Sequence, residues 1–146
     1  MNSQQIENAL RKRCPDFENV LAADQLPLVL PSKRPLMYVV NTDPQSRPGT
    51  HWIAMYFGLD DVCEYFDSFG RRPSLVFERY LNGQCSEWIF NDTQLQSVVS
   101  GFCGQYCVVY CILKSRGKSL GDILKYFSSD TGLNDFLVHK FACRMY

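Results

Sequence analysis

The stretch Gln96-Ser-Val-Val-Ser-Gly-Phe-Cys103-Gly-Gln-Tyr-Cys-Val-Val-Tyr-Cys-Ile-Leu113 decides how this chain is read. Its first part is polar and broken by Gly101, and its second part is apolar and of helix length. The junction at Cys103-Gly104 therefore places a thiol at or near the first turn of a buried helix. Unpaired N–H groups and the positive end of the helix dipole collect there, so a thiolate is stabilised and its pKa falls. Cys107 and Cys111 follow at four-residue spacing inside the helix and read as core. Cys103 is the candidate nucleophile, provided the chain supplies a base, an acid to orient it and an oxyanion donor.

The base comes from a hairpin. Thr50-His-Trp-Ile-Ala-Met-Tyr-Phe57 and Val62-Cys-Glu-Tyr-Phe-Asp67 have strand composition, and Gly58-Leu-Asp-Asp61 is a turn between them. Folded about Leu59, the ladder sets His51 opposite Asp67, within a residue or two of register. Opposed side chains lie roughly 5 Å apart at Cβ, so a carboxylate there can hold an imidazole. Each residue has a plainer explanation: a strand-start His on the surface, a turn-starting Asp, a loop amide at Gln96. Their conjunction with Cys103 favours chemistry.

The remaining chain reads as support. Ser3 to Arg13 is a short amphipathic helix with Ile6, Ala9 and Leu10 on one face and Ser3 as its cap, ended by Cys14-Pro15. Residues 16–35 are proline-punctuated and read as an irregular segment without a functional signal. Leu36-Met-Tyr-Val-Val-Asn41 is apolar throughout, an interior strand, followed by a loop over Asp43–Gly49. Pro73 to Gly83 is a helix with Pro near its start and Gly past its end, and Trp88–Phe90 a short strand. After the Cys103 helix, Lys114–Gly117 is a cap and turn. Ser119 with Asp122 starts a helix through about Phe127, and Leu133 to Phe141 is a last one. His139 reads as a packed or solvated side chain, and Trp52 and Trp88 as core, with Trp52 also able to wall the site.

The length of 146 residues fits one domain spanning 1–146, and the formal charge of zero advertises no nucleic-acid field. Phe102–Leu113 is too short to span a bilayer, and the polar N-terminus lacks a signal-peptide core. Seven cysteines without paired CxxC motifs suggest neither zinc nor a full disulfide framework. The expectation is a reduced, intracellular chain.

Gly49-Thr-His51-Trp52, Tyr65-Phe-Asp67-Ser-Phe-Gly70 and Gln96-Ser-x5-Cys103-Gly104, in this order, resemble the adenovirus protease (adenain) family, within the wider clan of ubiquitin-like-protein-specific cysteine proteases. Val40-Asn41-Thr42 adds to the likeness, which runs from about residue 38 to 111. Asp67-Ser68 stands where adenain has Glu-Pro and matches the wider clan. The resemblance implies an α+β, papain-like fold, with a mixed, mostly antiparallel sheet packed on a central Cys-bearing helix. It implies Cys103 as nucleophile, His51 as base, Asp67 as the acid orienting it and Gln96 as oxyanion donor. Gly49, Gly101 and Gly104 would let an extended substrate backbone approach.

The implied activity is cleavage after Gly-containing motifs in viral or virus-like precursors such as capsid proteins. The implied setting is the host nucleus or cytoplasm, with packaging in the virion. No cofactor or metal is required. The resemblance brings an activating peptide or DNA as candidates, although neutral charge gives DNA no support. Three other readings stand beside this one. Deconjugation of ubiquitin or SUMO would need a docking surface on residues 15–47 and the 73–83 helix, where Leu26–Leu30 offers a small apolar patch. A non-catalytic module of the same fold would need none of the four site residues, and a redox or metal protein built on the Cys stripe lacks CxxC and would carry a metal or a disulfide.

Overall fold

The computed structural model describes residues 1–145. A five-stranded sheet is ordered β1 (Phe17–Ala22), β2 (Leu36–Asn41), β3 (Trp52–Phe57), β4 (Val62–Phe66) and β5 (Glu87–Phe90). The central pairings β2–β3 and β3–β4 are antiparallel, and the outer pairings β1–β2 and β4–β5 are parallel. The sheet is thus mixed and the fold α+β as expected, with parallel and antiparallel pairings more evenly split.

Strand β1 corrects the expectation of an irregular 16–35 segment. Glu18 and Asn19 interrupt its apolar run, and its register shifts between Phe17 and Asn19, the mark of a bulge. Its parallel partner is reached through a long connection rather than a tight turn, so no local turn signal announces it.

Alternation along the strands divides the core. One face carries Met37, Val39, Ala54 and Phe66 and packs against α1 (Ser3–Arg11) and α3 (Cys103–Ser115), with α4 (Leu120–Leu124) and α5 (Thr131–Ala142) beyond. The other face carries Tyr38, Val40, Ile53, Met55 and Tyr65 and is covered by Phe77 and Leu81 of α2 (Leu75–Gln84). The sheet therefore lies between helices, with the Cys103-bearing helix buried on one side.

Local details differ where capping decides. Asn2, not Ser3, caps α1, accepting from Gln5 N at 2.9 Å while Gln5 Oε1 accepts from Asn2 N. Helix α2 runs through Gly83 to Gln84, one residue beyond the glycine expected to lie past its end. Ser119 caps α4 as expected, but that helix ends at Leu124, and Asp130 caps α5 from residue 131. Trp88 is half-buried on the edge strand rather than interior, with the Arg72 guanidinium over its ring.

Cys63 and Cys85 form a disulfide, which corrects the expectation of a fully reduced chain. The pairing of Cys63 with Trp88 across β4–β5 brings the end of α2 beside β4, with the two Cα atoms 6.2 Å apart. A buried ion pair ties α3 to the sheet from the far end. Lys114 Nζ donates to Glu64 Oε2 at 2.8 Å, and Tyr110 Oη donates to Glu64 Oε1 at 2.8 Å.

Candidate active site

Cys103 is the first residue of α3, so its backbone N–H has no partner within the helix. Its side chain is buried beside His51 and Trp52. Burial opposes ionisation of the thiol. Hydrogen bonds from the His51 ring and the backbone N–H groups of Trp52 and Gly104 outweigh it, and the pKa lies below the usual value. Cys107 and Cys111, one and two turns on, are fully buried, and burial pushes their thiols well above that value. The helix start therefore separates one ionisable thiol from two inert ones.

His51 precedes β3 and is held in line by its carbonyl, which accepts from Thr42 N at 2.9 Å. Its Nε2 lies 2.8 Å from Asp67 Oδ1. The hairpin register is two residues from the expected one: Ala54 pairs with Phe66 and Phe57 with Cys63, which centres the ladder near Asp60. That shift carries Phe69 toward His51, and their rings stack at 4.9 Å. The imidazole is gripped at its edge by the carboxylate and on its face by an aromatic ring. Burial works against its charged form, but hydrogen bonds to Asp67 and Cys103 raise its pKa to about 9.

The turn Asp67-Ser-Phe-Gly70 uses every residue. Asp67 Oδ1 also accepts from Phe69 N at 2.9 Å, and Gly70 N donates to Asp67 O at 2.8 Å. Gly70 has φ +70, and a Cβ there would meet the Thr93 carbonyl carbon at 2.5 Å, so glycine is required. Ser68 Oγ donates to Gln96 Oε1 at 2.6 Å. Buried Asn91, just past β5, accepts from Asp67 N at 3.0 Å and donates to Asp67 O at 2.6 Å. Sequence reasoning passed over Asn91, Ser68 as a side chain, and Ser100; the one available signal was a polar residue closing the β5 run.

Gln96 is fully buried, and Ser68 links its amide to the Asp67 turn. Its Nε2 donates to Ser100 O at 2.9 Å and has Ser100 Oγ at 3.1 Å. The four expected residues thus sit on three converging segments: the β3 start, the β4 exit, and the approach to α3. His139 is exposed and stacks on Phe102 at 4.9 Å on the flank of α3.

A cleft of about 680 Å³ opens onto Cys103, lined among others by Val20, Ala22, Asn41, Gly49, Trp52 and Gly101. The segment without an expected role, β1, forms part of its wall. Gly101 is open as anticipated, while Gly49 and Gly104 are not. Gly49 has φ +87 and its Cβ side is filled by the Asn41 amide, and Gly104 is packed against Met1, Trp52 and Ile6. Glycine at 104 serves close packing of α3 on α1 and Trp52. Trp52 both packs and walls the cleft, its indole N–H donating to Met1 O at 3.1 Å.

Among the described residues no group of three or more His, Cys, Asp or Glu side chains could hold a metal, and no helix is long and apolar enough to cross a membrane. The arrangement can generate a thiolate–imidazolium pair, which is chemistry for nucleophilic attack on a carbonyl.

Comparison with known proteins bears on the sequence and the fold. The chain is 30% identical over 103 residues to a protease of bovine adenovirus 4, covering 59% of this chain and 51% of that one. It thus spans about half the length of that relative. The crystal structure of the ASFV pS273R protease superposes with a TM-score of 0.61 at 18% identity, covering 85% of this chain and 59% of that one. The central domain of Lpg1148 from Legionella pneumophila gives 0.58 at 15% identity, covering 100% and 98%. The SUMO protease Ulp1 gives 0.53 at 13%, covering 99% and 78%. No protein-family model matches. The adenain-like resemblance therefore holds in sequence, and the fold is one shared with a viral protease and a SUMO protease.

Proposed function

We propose that residues 1–146 act as one cysteine endopeptidase domain. The observation that carries this is a single imidazole between a buried carboxylate and a thiol at a helix start. The Cys103 thiolate attacks the peptide carbonyl, and its oxyanion is met by the Gln96 amide and the Cys103 backbone N–H. His51 gives its proton to the amine as the C–N bond breaks. It then takes one from the water that releases the acyl group, regenerating the thiolate pair. Asp67 fixes the ring's orientation and stabilises its cation.

The substrates proposed are precursors of a virus or virus-like element, capsid proteins among them, cut after Gly-containing motifs in the infected cell or the virion. Similarity to an adenoviral protease supports the source, and the cleft past the open Gly101 supports an extended, small-residue substrate. The test is incubation with candidate capsid precursors and Gly-Gly peptides, with Cys103→Ala as control. Specific cleavage lost in that variant is expected, and equal cleavage by both proteins would sink the reading.

One observation favours a second reading, deconjugation of a ubiquitin-like protein. Leu28 and Val29 are 88% and 86% exposed and lie against α2, tied by Tyr80 Oη to Pro27 O at 2.7 Å and Gln84 Nε2 to Leu28 O at 2.9 Å. A globular modifier would dock there and add remote binding energy to the transition state. A kcat/KM preference for a SUMO or ubiquitin fusion over a Gly-Gly peptide above about a hundredfold, some 2.7 kcal/mol, selects this branch.

A further inference from the structure

We propose that Ser68 is a positioning residue that holds the Gln96 carboxamide in alignment with the oxyanion, an inference resting on the protease reading above. Ser68 and Gln96 are both fully buried. The Ser100 carbonyl lies 2.9 Å from Gln96 Nε2, and a carbonyl can only accept, so the N–H edge faces the segment that leads into Cys103. The oxygen edge then faces Ser68 Oγ, which donates to it at 2.6 Å. Two different groups therefore pin the two edges of one amide.

The Gln96 main chain is fixed independently, since Leu95 N and Gln96 N both donate to Ser68 O, at 2.9 and 3.0 Å. Loss of the hydroxyl thus acts on the carboxamide alone. Without it, Oε1 is a buried acceptor lacking its donor, and only Ser100 still holds the amide. An amide held at one edge only is free to tilt, so its N–H is less often aligned with the oxyanion. Thiolate formation depends on His51, Trp52 and Gly104, none of which Ser68 contacts through its side chain.

This separation defines the experiment. Ser68→Ala should lower kcat on a Gly-Gly peptide by about tenfold to a hundredfold with little change in KM, by analogy with loss of an oxyanion donor. The rate and pH dependence of iodoacetamide alkylation at Cys103 should stay as in the unsubstituted chain, because alkylation builds no oxyanion. In a Gln96→Ala background, Ser68→Ala should cost nothing further. Ser68→Cys, which keeps the volume and only a weak donor, should fall between; it carries the same measurements if the alanine variant does not fold. Parallel loss of alkylation, unchanged turnover, or an undiminished loss in the Gln96→Ala background would each overturn the proposal. Failure of the protease reading itself is distinguishable, since the unsubstituted chain would then cut no substrate.

Discussion

His51 Nε2 lies 2.8 Å from Asp67 Oδ1, and the same ring hydrogen-bonds Cys103. With its Nε2–H donated to the carboxylate, the ring has Nδ1 left to exchange a proton with the thiol. A proton shared between sulfur and imidazole then favours the ring, because the carboxylate stabilises the cation and the helix start stabilises the anion.

The pH dependence follows. His51 is raised from 6.5 to about 9, so the stability its partners contribute is fully present below 6.5 and is lost as pH rises through about 9. Activity should begin below the usual thiol range and decline as pH passes about 9. Asp67→Asn removes the support for the imidazolium, so the falling limb moves to lower pH and turnover drops by roughly 10²–10⁴-fold. A kcat/KM–pH profile of both proteins checks this; an unmoved limb would remove Asp67 from its role.

Alkylation should discriminate among the thiols of α3. Iodoacetamide at neutral pH should label Cys103 and leave Cys107 and Cys111 unmodified, because both are fully buried with pKa values raised by burial. Peptide mapping after timed labelling gives the order. Cys107 modified as fast as Cys103 would contradict the separation made by the helix start.

Lys114 and Glu64 should matter to stability far more than their distance from the cleft suggests. Removing one partner leaves a buried charge without its counter-ion, at a cost of about 3–5 kcal/mol. Lys114→Ala should therefore unfold at much lower urea, whereas Lys114→Met with Glu64→Leu should recover most of the loss. Equal midpoints for the single and double variants would refute the coupling.

Gly70→Ala places a side chain at φ +70 and against the Thr93 backbone. The conformation alone costs about 1–2 kcal/mol. The displaced 93–96 segment should also reduce turnover more than it reduces alkylation of Cys103. Thermal melts and the two rates, measured together, test this.

How far the sequence could be read depended on how local each feature was. The apolar run after Cys103, the run at Leu36–Asn41 and the short hairpin are local patterns, and the four candidate residues came with them. Strand β1 was not legible, because a parallel edge strand with Glu18 and Asn19 in it carries neither alternation nor a turn signal. Asn91 and Ser100 were not legible either: an Asn after a strand and a Ser in a polar loop acquire meaning only when folding brings them to Asp67 and Gln96. The Cys63–Cys85 pairing belongs to the same class, set by how α2 returns to the sheet. Gly104 was misread for a related reason, since whether a glycine faces solvent or a neighbour is a tertiary fact.

Asp67 and Ser68 are consecutive residues whose side chains serve different partners, the first the imidazole and the second the carboxamide. Successive side chains leaving a strand point to opposite sides, so an insertion or deletion of one residue at the end of β4 would exchange the two directions. A hydroxyl would then face His51, and a carboxylate would be driven toward Gln96. Residues 66–70 form a fixed-length cassette, and any grafting, loop exchange or circular permutation of this protein has to be cut elsewhere, for instance at the exposed Arg116–Lys118 turn.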